Sequence, residues 1–212
     1  GENSYNDIIL ENYTITRNEI DFKLNIDENN FSTTLKGKHN LFNIMFAVAI
    51  AKKIGLANEE IRHAIDNISK ITNMRLESIP YAEDSLIIND AYNASPTSMK
   101  AAVDVISDLN DFEFKTLVLG SMFELGPNEV EYHSGVGTYI NNNSRGINLI
   151  ISVGALAKNI TDNINNKDIS TLHFSTVEEV TDYLNANKHK NEVILFKASR
   201  SMKLETIIND IR

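Results

Sequence analysis

The sequence predicts an α/β fold whose C-terminal domain is a Rossmann-like, mostly parallel sheet. Five short apolar runs after residue 84 are predicted to be buried strands, at residues 86–88, 116–119, 149–153, 172–174 and 193–196. Helical patterns separate these runs, and strands that alternate with helices are typical of a parallel sheet covered on both faces. No Gly-x-Gly-x-x-Gly fingerprint is present, so the pattern argues against NAD binding.

Two helix starts in this region are marked by capping residues. Ser95 is suited to cap a helix whose first residue is Pro96, and apolar residues then recur at helical spacing from residue 99 to residue 109. Thr176 and Glu179 form the Thr-x-x-Glu pattern of a capping box. Both helices are therefore predicted between strands of the sheet.

The N-terminal third of the sequence is predicted to be the C-terminal part of another domain. It is expected to contain small antiparallel strands and two helices. Apolar and polar residues alternate from residue 20 to residue 26, and a third strand is expected at residues 31–35. A helix at residues 40–54 is apolar on nearly every side and so needs partners all round. A second helix is expected to be capped by Asn58. We assign residues 1–75 and 85–212 to the two domains, with a hinge over residues 70–84.

Composition excludes several classes of protein without choosing a function. The 212 residues contain no cysteine, which excludes a disulfide framework and a zinc–thiolate site. No apolar run approaches the length of a membrane span. The net charge of −9 argues against nucleic acid as a partner, because phosphate binding needs clustered Lys and Arg. These features agree with a cytoplasmic protein.

The turn after the strand at residues 86–88 is the first candidate for a ligand site. Asp90 follows this strand, and the carboxyl ends of parallel strands are where ligands of such sheets bind. Tyr92 and Asn93 lie beside it. The plainer alternative is that Asp90 only flanks the following helix, while Tyr92 and Asn93 either pack or cap.

Four segments carry a more specific signal. They are Gly-Lys-His-Asn-Leu-Phe-Asn at residues 37–43, Asp-Ala-Tyr-Asn-Ala-Ser-Pro at residues 90–96, Leu-Gly-Ser-Met-Phe-Glu-Leu-Gly at residues 119–126 with His133, and Lys-Ala-Ser-Arg-Ser-Met-Lys-Leu-Glu at residues 197–205. In order and rough spacing they resemble the C-terminal half of the Mur ligases. Residues 90–94 resemble most the branch that adds D-alanyl-D-alanine (D-Ala-D-Ala) to UDP-N-acetylmuramoyl-tripeptide. Ser121 and Ala198 depart from the family pattern, which has Asp and Gly there.

The resemblance also implies parts that this sequence does not contain. Mur ligases open with a UDP-sugar-binding domain and a central ATPase domain with a phosphate loop, and no such loop is found here. We therefore expect the chain to be the C-terminal half of a longer enzyme, beginning inside the central domain and inactive alone.

The resemblance assigns ATP contacts to His39, Asn40, Asn43, Arg75, Asp90, Tyr92 and Asn93. The amides of Asn40 and Asn43 would border adenine, although a helix cap is the commoner role of such residues. Asp90 would accept hydrogen bonds from the ribose. Arg75 would reach the phosphates when the domains close, with a surface ion pair as the alternative.

The acceptor side is assigned to Glu124, His133, Lys197, Ser199 and Arg200. D-Ala-D-Ala carries a carboxylate, which needs cations or N–H donors, and an amine that must be neutral to attack. His133 also fits a structural role. No residue is assigned to catalysis or to a metal site.

The implied reaction is ATP-dependent amide ligation. ATP phosphorylates the tripeptide carboxylate, and the amine of D-Ala-D-Ala displaces phosphate from the acyl phosphate. Mg²⁺ would neutralise the phosphates through ligands in the absent half. Domain closure would assemble the site, with motion absorbed at residues 70–77.

Two other functions remain open from the sequence: another amide ligase of the superfamily, similar to folylpolyglutamate synthetase, or a non-catalytic Rossmann-like interaction module. The third residue of the tripeptide is undetermined. The full enzyme is expected to be a monomer. In the fragment, residues 1–70 are expected to be poorly ordered or buried against a second copy, while residues 85–212 fold autonomously.

Overall fold

The computed structural model describes residues 1–68, 73–82 and 84–212 and divides the chain into two compact units, Gly1–Ile71 and Thr72–Arg212. Of the predicted hinge, residues 70–72 and 83 lie outside the described residues. Each unit contains a hydrophobic cluster of its own. None of the helices in the described residues is long and apolar enough to cross a membrane.

The N-terminal unit is a three-stranded antiparallel sheet followed by two helices, as predicted. The strands β1 (Leu10–Ile15), β2 (Ile20–Leu24) and β3 (Phe31–Thr33) lie in that order, and the helices are α1 (Lys38–Lys53) and α2 (Asn58–Asp66). Alternate residues of β2 are buried, because one face of the sheet packs on the helices. The prediction that Asn58 caps α2 is wrong: Ala57 precedes the helix, and the Glu60 carboxylate accepts its N–H at 2.8 Å.

Helix α1 buries only part of its apolar surface. Leu41, Ile44, Met45 and Val48 lie in the cluster that also contains Phe22 and Phe31. Four other apolar residues, spaced one turn apart, are exposed: Phe42, Phe46, Ile50 and Ile54. We call these four residues the α1 stripe. They confirm that this helix has more apolar surface than its unit covers.

The C-terminal unit is built on a six-stranded sheet with strand order β4-β5-β9-β6-β7-β8. The strands are β4 (Glu77–Tyr81), β5 (Ser85–Asn89), β6 (Phe114–Gly120), β7 (Leu149–Val153), β8 (Ser170–Phe174) and β9 (Glu192–Lys197). All neighbours run parallel except β4 and β5, which are antiparallel. The five predicted strands are thus confirmed. Strand β4 was not predicted, because its residues were assigned to the hinge.

Helices cover both faces of this sheet. The helices are α3 (Pro96–Asp108), α4 (Glu129–Asn143), α5 (Lys158–Thr161), α6 (Val177–Ala186) and α7 (Glu205–Ile211). Helices α6 and α7 share a buried cluster with one face of the central strands. The alternate strand residues point to the other face, where α3 contacts β6, β9 and α4. Both predicted caps are confirmed, since Ser95 and Thr176 each accept the N–H of the residue three positions later.

Candidate active site

The candidate side chains of the C-terminal unit follow three neighbouring strands and lie at one edge of the sheet. Strand β9 lies between β5 and β6, and Phe196 pairs with Asn89 while Lys197 pairs with Leu119. The residues that follow these strands therefore emerge together at the carboxyl edge of the sheet, where open α/β sheets bind ligands.

The turn after β5 is fixed by hydrogen bonds from several directions. The N–H of Asp90 donates to the Phe196 carbonyl at 2.9 Å, and the N–H of Leu76 donates to Asp90 Oδ1 at 3.2 Å. Buried Asn89 accepts the N–H of Ala91 at 3.2 Å and donates to the Glu77 carboxylate at 3.3 Å. Asp90 is thus held in one place while 16% of its side chain stays exposed.

Arg75 lies against this turn. Its guanidinium carbon is 4.5 Å from the centre of the Tyr92 ring, a cation–π contact. The N–H of Tyr92 donates to the Met74 carbonyl at 3.1 Å. Met74 and Leu76 on either side of Arg75 both have left-handed backbone conformations, with φ of 62° and 52°. Residues 74–76 are therefore fixed to the C-terminal unit, and Arg75 lies with Asp90 and Tyr92.

The end of β9 supplies two cations in different environments. Lys197 is buried, with 3% of its side chain exposed, and its ammonium donates to Asp90 Oδ2 at 2.5 Å and to the Asn93 carbonyl at 3.1 Å. Arg200 is exposed and pairs with the carboxylate of Glu205. Only Arg200 presents its charge to the surface. Glu205 belongs to the same sequence motif as Arg200, and its carboxylate is the partner of that guanidinium.

The loop after β6 is clamped on two sides. Ser199 Oγ accepts the N–H of Phe123 at 2.9 Å, and the N–H of Ser199 donates to the Ser121 carbonyl at 3.2 Å. Ser121 Oγ accepts the N–H of Ala157 at 3.2 Å. Next in the loop, Glu124 is exposed and has φ of 62°. Phe123 and Glu124 are thus presented at the edge by a backbone that the neighbouring strands hold.

His133 holds this loop from beneath, which corrects its predicted role as a substrate contact. The ring is fully buried, its Nε2 accepts the N–H of Met122 at 2.8 Å, and its Nδ1 lies 2.6 Å from the Glu129 carbonyl. Nδ1 must therefore carry the proton, because a carbonyl oxygen only accepts. Burial lowers the pKa of His133, which favours this neutral form. Both ring nitrogens are in use, so His133 is a positioning residue.

The two departures from the family pattern are accommodated locally. Ala198 is fully buried, and a Cβ placed on Gly120 would lie 2.6 Å from the Ala198 methyl group. Glycine at 120 therefore makes room for alanine at 198. Ser121 is buried and uses its hydroxyl on the Ala157 amide. Ala198 therefore serves packing, and Ser121 holds the backbone of Ala157.

The remaining three candidates lie on the first turns of α1 in the N-terminal unit. Asn40 Nδ2 donates to the Lys36 carbonyl at 2.7 Å, and Asn43 Nδ2 donates to Asn40 Oδ1 at 3.0 Å. Neither Asn caps the helix, which begins after Gly37. His39 and Asn43 are exposed. The alternative that these amides only cap a helix is therefore not supported.

No group of three or more His, Asp or Glu side chains in residues 1–68, 73–82 and 84–212 is arranged to hold a metal ion. Sequence reasoning missed the roles of Leu76 and Ser121, which act through backbone or hydroxyl groups. The left-handed backbone of Leu76 could not be predicted from the sequence, because such positions are usually occupied by glycine.

Comparison with known proteins identifies the family of this chain. The family model described as "Mur ligase, glutamate ligase domain" matches residues 74–200. The chain is 36% identical over its whole length to UDP-N-acetylmuramoyl-tripeptide–D-alanyl-D-alanine ligase of Bacillus subtilis and spans 46% of that protein. The chain therefore spans about half the length of the curated relatives it matches.

Solved structures agree in fold. MurF from Acinetobacter baumannii superposes with a TM-score of 0.83 and 25% identity, over 99% of this chain and 45% of that one. MurF from Thermotoga maritima, solved in complex with ADP, superposes with a TM-score of 0.77 and 21% identity, over 97% and 46% of the two chains. Because the family model matches more than half of the chain and the Bacillus subtilis ligase matches all of it, this chain belongs to the Mur ligase family.

Proposed function

We propose that this chain is the C-terminal part of an ATP-dependent ligase that joins D-Ala-D-Ala to UDP-N-acetylmuramoyl-tripeptide during cytoplasmic synthesis of peptidoglycan precursors. The observation that carries the proposal is the meeting of three motif segments at one sheet edge: the Asp90 turn, the end of β9 and the loop after β6. The identity to the Bacillus subtilis ligase supports the choice of substrates.

The nucleotide side of the proposed site is the turn after β5. Asp90 keeps part of its carboxylate accessible, and a carboxylate can accept hydrogen bonds from both hydroxyls of a ribose. The planar guanidinium of Arg75 presents paired N–H donors and so suits phosphate oxygens. Tyr92 and Asn93 are exposed beside it. In the N-terminal unit, considered by itself, His39, Asn40 and Asn43 are proposed to contact adenine.

The acceptor side is proposed at the ends of β9 and β6. The exposed guanidinium of Arg200 suits the carboxylate of D-Ala-D-Ala, and Glu205 orients it from the other side. Ser199 keeps the loop of Glu124 in place through the Phe123 amide. The exposed carboxylate of Glu124 suits the amine of the acceptor.

The proposed chemistry forms one amide bond for each ATP. The tripeptide carboxylate attacks the γ-phosphorus and releases ADP, and the acceptor amine then attacks the acyl carbon and releases inorganic phosphate. Mg²⁺ would neutralise the phosphates through ligands in the N-terminal half of the full enzyme. Residues of this chain bind and orient the nucleotide and the acceptor.

A reconstitution with the full-length protein tests the proposal. Purified protein, Mg²⁺ and ATP are mixed with UDP-N-acetylmuramoyl-tripeptide and D-Ala-D-Ala, and the product is identified by mass spectrometry. We expect the ligated pentapeptide and one phosphate per amide, with each substrate required. The residues 1–212 fragment is the matched control and should release no phosphate.

Three outcomes would contradict the proposal. Product formed from a folate and L-glutamate, and not from D-Ala-D-Ala, would indicate a folylpolyglutamate synthetase-like ligase. Absence of both product and ATP binding would indicate a non-catalytic module. Phosphate release from the fragment that depends on D-Ala-D-Ala would contradict its assignment as an incomplete enzyme.

A further inference from the structure

The ion pair between Lys197 and Asp90 is buried at the centre of the proposed site. Its charged atoms lie 2.5 Å apart, and the lysine side chain is 3% exposed. The ammonium group has three protons, of which one goes to Asp90 Oδ2 and one to the Asn93 carbonyl. A substrate carboxylate approaching the edge would meet the exposed Arg200, not Lys197.

The two charges depend on each other. A single charge buried to this extent is costly unless it is paired and hydrogen-bonded. Asp90 is held at one oxygen by the ammonium and at the other by the Leu76 N–H, which fixes the plane of the carboxylate. Its remaining acceptor capacity is directed to the 16% of the side chain that is exposed.

The pair also joins two chain segments that are far apart in sequence. Asp90 follows β5, and Lys197 ends β9, the neighbouring parallel strand. The Asn93 carbonyl, on the other side of the turn, receives the same ammonium. Lys197 therefore holds both ends of the turn that carries Tyr92 and the proposed ribose acceptor.

We infer that Lys197 is a positioning residue for the nucleotide side, acting through Asp90, and does not contact the acceptor carboxylate. The inference rests on the proposed function for the identity of the two substrates. It revises the sequence-based assignment of Lys197 to the acceptor. It predicts that loss of the lysine weakens ATP binding while recognition of D-Ala-D-Ala is kept.

The test is a comparison of Lys197→Met, Asp90→Ala and the double variant in the full-length enzyme. We expect Lys197→Met and Asp90→Ala each to raise the KM for ATP and the Kd for ATP by tenfold or more. The KM for D-Ala-D-Ala should stay within twofold. The double variant should match Asp90→Ala within twofold in the Kd for ATP, because the Asp90 carboxylate is the group through which Lys197 affects the nucleotide. Arg200→Met, the matched control, removes the exposed cation and should raise the acceptor KM instead.

If Lys197→Met does not fold, a double variant that removes both charges can be used in its place. Asp90→Asn with Lys197→Met leaves no unpaired buried charge. Its acceptor KM should stay within twofold of wild type, and a tenfold rise would overturn the inference by showing a direct acceptor contact.

Direct ATP binding separates failure of this inference from failure of the proposed function. A wild type that binds ATP but makes no D-Ala-D-Ala amide would overturn the proposed function alone. An unchanged ATP Kd in folded Lys197→Met protein would overturn the inference alone.

Discussion

The two units of this chain differ in how completely they cover their own apolar surface. In the C-terminal unit, every residue of β7 and β9 is buried, and helices lie on both faces of the sheet. In the N-terminal unit, the α1 stripe leaves Phe46 70% exposed and Ile50 and Ile54 exposed nearby. Both units have an apolar cluster, but only in the C-terminal unit do helices cover both faces of the sheet.

The difference indicates which unit is independent. Burial of apolar surface contributes about 25 cal/mol per Å², so a stripe of a few hundred Å² represents several kcal/mol that the N-terminal unit does not gain by itself. The C-terminal unit gains this stabilisation internally. Its candidate charges are also paired within the unit, as Lys197 with Asp90 and Arg200 with Glu205.

The largest effect is expected from shortening the C-terminal unit. Protein that begins at residue 85 lacks β4, so it loses the buried side chains of Leu76 and Tyr81 and leaves β5 as an open edge. Protein that begins at residue 73 keeps them. We expect the shorter protein to lose roughly 5 kcal/mol of unfolding free energy or to aggregate. Urea unfolding of the two proteins checks this, and equal midpoints would show that β4 contributes nothing.

The next effect compares one large side chain from each unit. Phe196→Ala empties a fully buried position in the C-terminal unit and should cost about 3–5 kcal/mol. Phe46→Ala, its matched control on the α1 stripe, should cost under 1 kcal/mol in the monomer, because Phe46 is 70% exposed. Urea unfolding followed by circular dichroism measures both. Equal losses would remove the distinction between the units.

A smaller effect comes from a helix cap of the C-terminal unit. Thr176→Ala removes the oxygen that accepts the Glu179 N–H and should cost about 1 kcal/mol. Thr181→Ala in the same helix is the control. There the hydroxyl only donates to the Val177 carbonyl, and alanine favours the helix, so stability should not fall. A comparable loss in both variants would refute the role of the cap.

The smallest effect is a change in the pH dependence of stability. Burial lowers the pKa of His133 below 6.5, so as the pH falls below 6.5 the unfolded ring takes up a proton before the folded ring does. Folded protein therefore loses stability from this residue below pH 6.5. Burial raises the pKa of Glu192 above its usual 4.5. The stability that depends on this residue therefore falls as the pH rises above 4.5, which is the opposite of the trend for His133. The stability advantage of wild type over His133→Gln isolates the histidine. It should shrink between pH 7.5 and 5.5, and parallel curves would contradict the assignment.

Much of the fold was predictable because its signals are local. Strand β7 coincides with the predicted run at residues 149–153, since a strand buried on both faces is apolar throughout. The caps at Ser95 and Thr176 follow from side chains that bond the next turn. Strand β4 was missed because it is an edge strand with Pro80 and polar residues, which resembles a connector in sequence.

The sequence motifs name the candidate site residues but do not show which groups these residues pair with. Motif positions located Asp90, Lys197 and Arg200, but residue types do not show which cation is buried. That distinction comes from strand order, because β9 is inserted between β5 and β6 and brings Lys197 beside Asp90. His133 is a further case, since a sequence cannot show that both of its nitrogens bond the backbone.

Limited proteolysis of the residues 1–212 fragment, combined with light scattering, tests the difference between the units most directly. We predict that residues 73–212 resist protease at every concentration, whereas residues 1–68 are cleaved in the monomer or protected only when the fragment associates through the α1 stripe. Phe46→Glu with Ile50→Glu should abolish that association. A monomer whose first 68 residues resist protease as well as the C-terminal unit does would contradict the account.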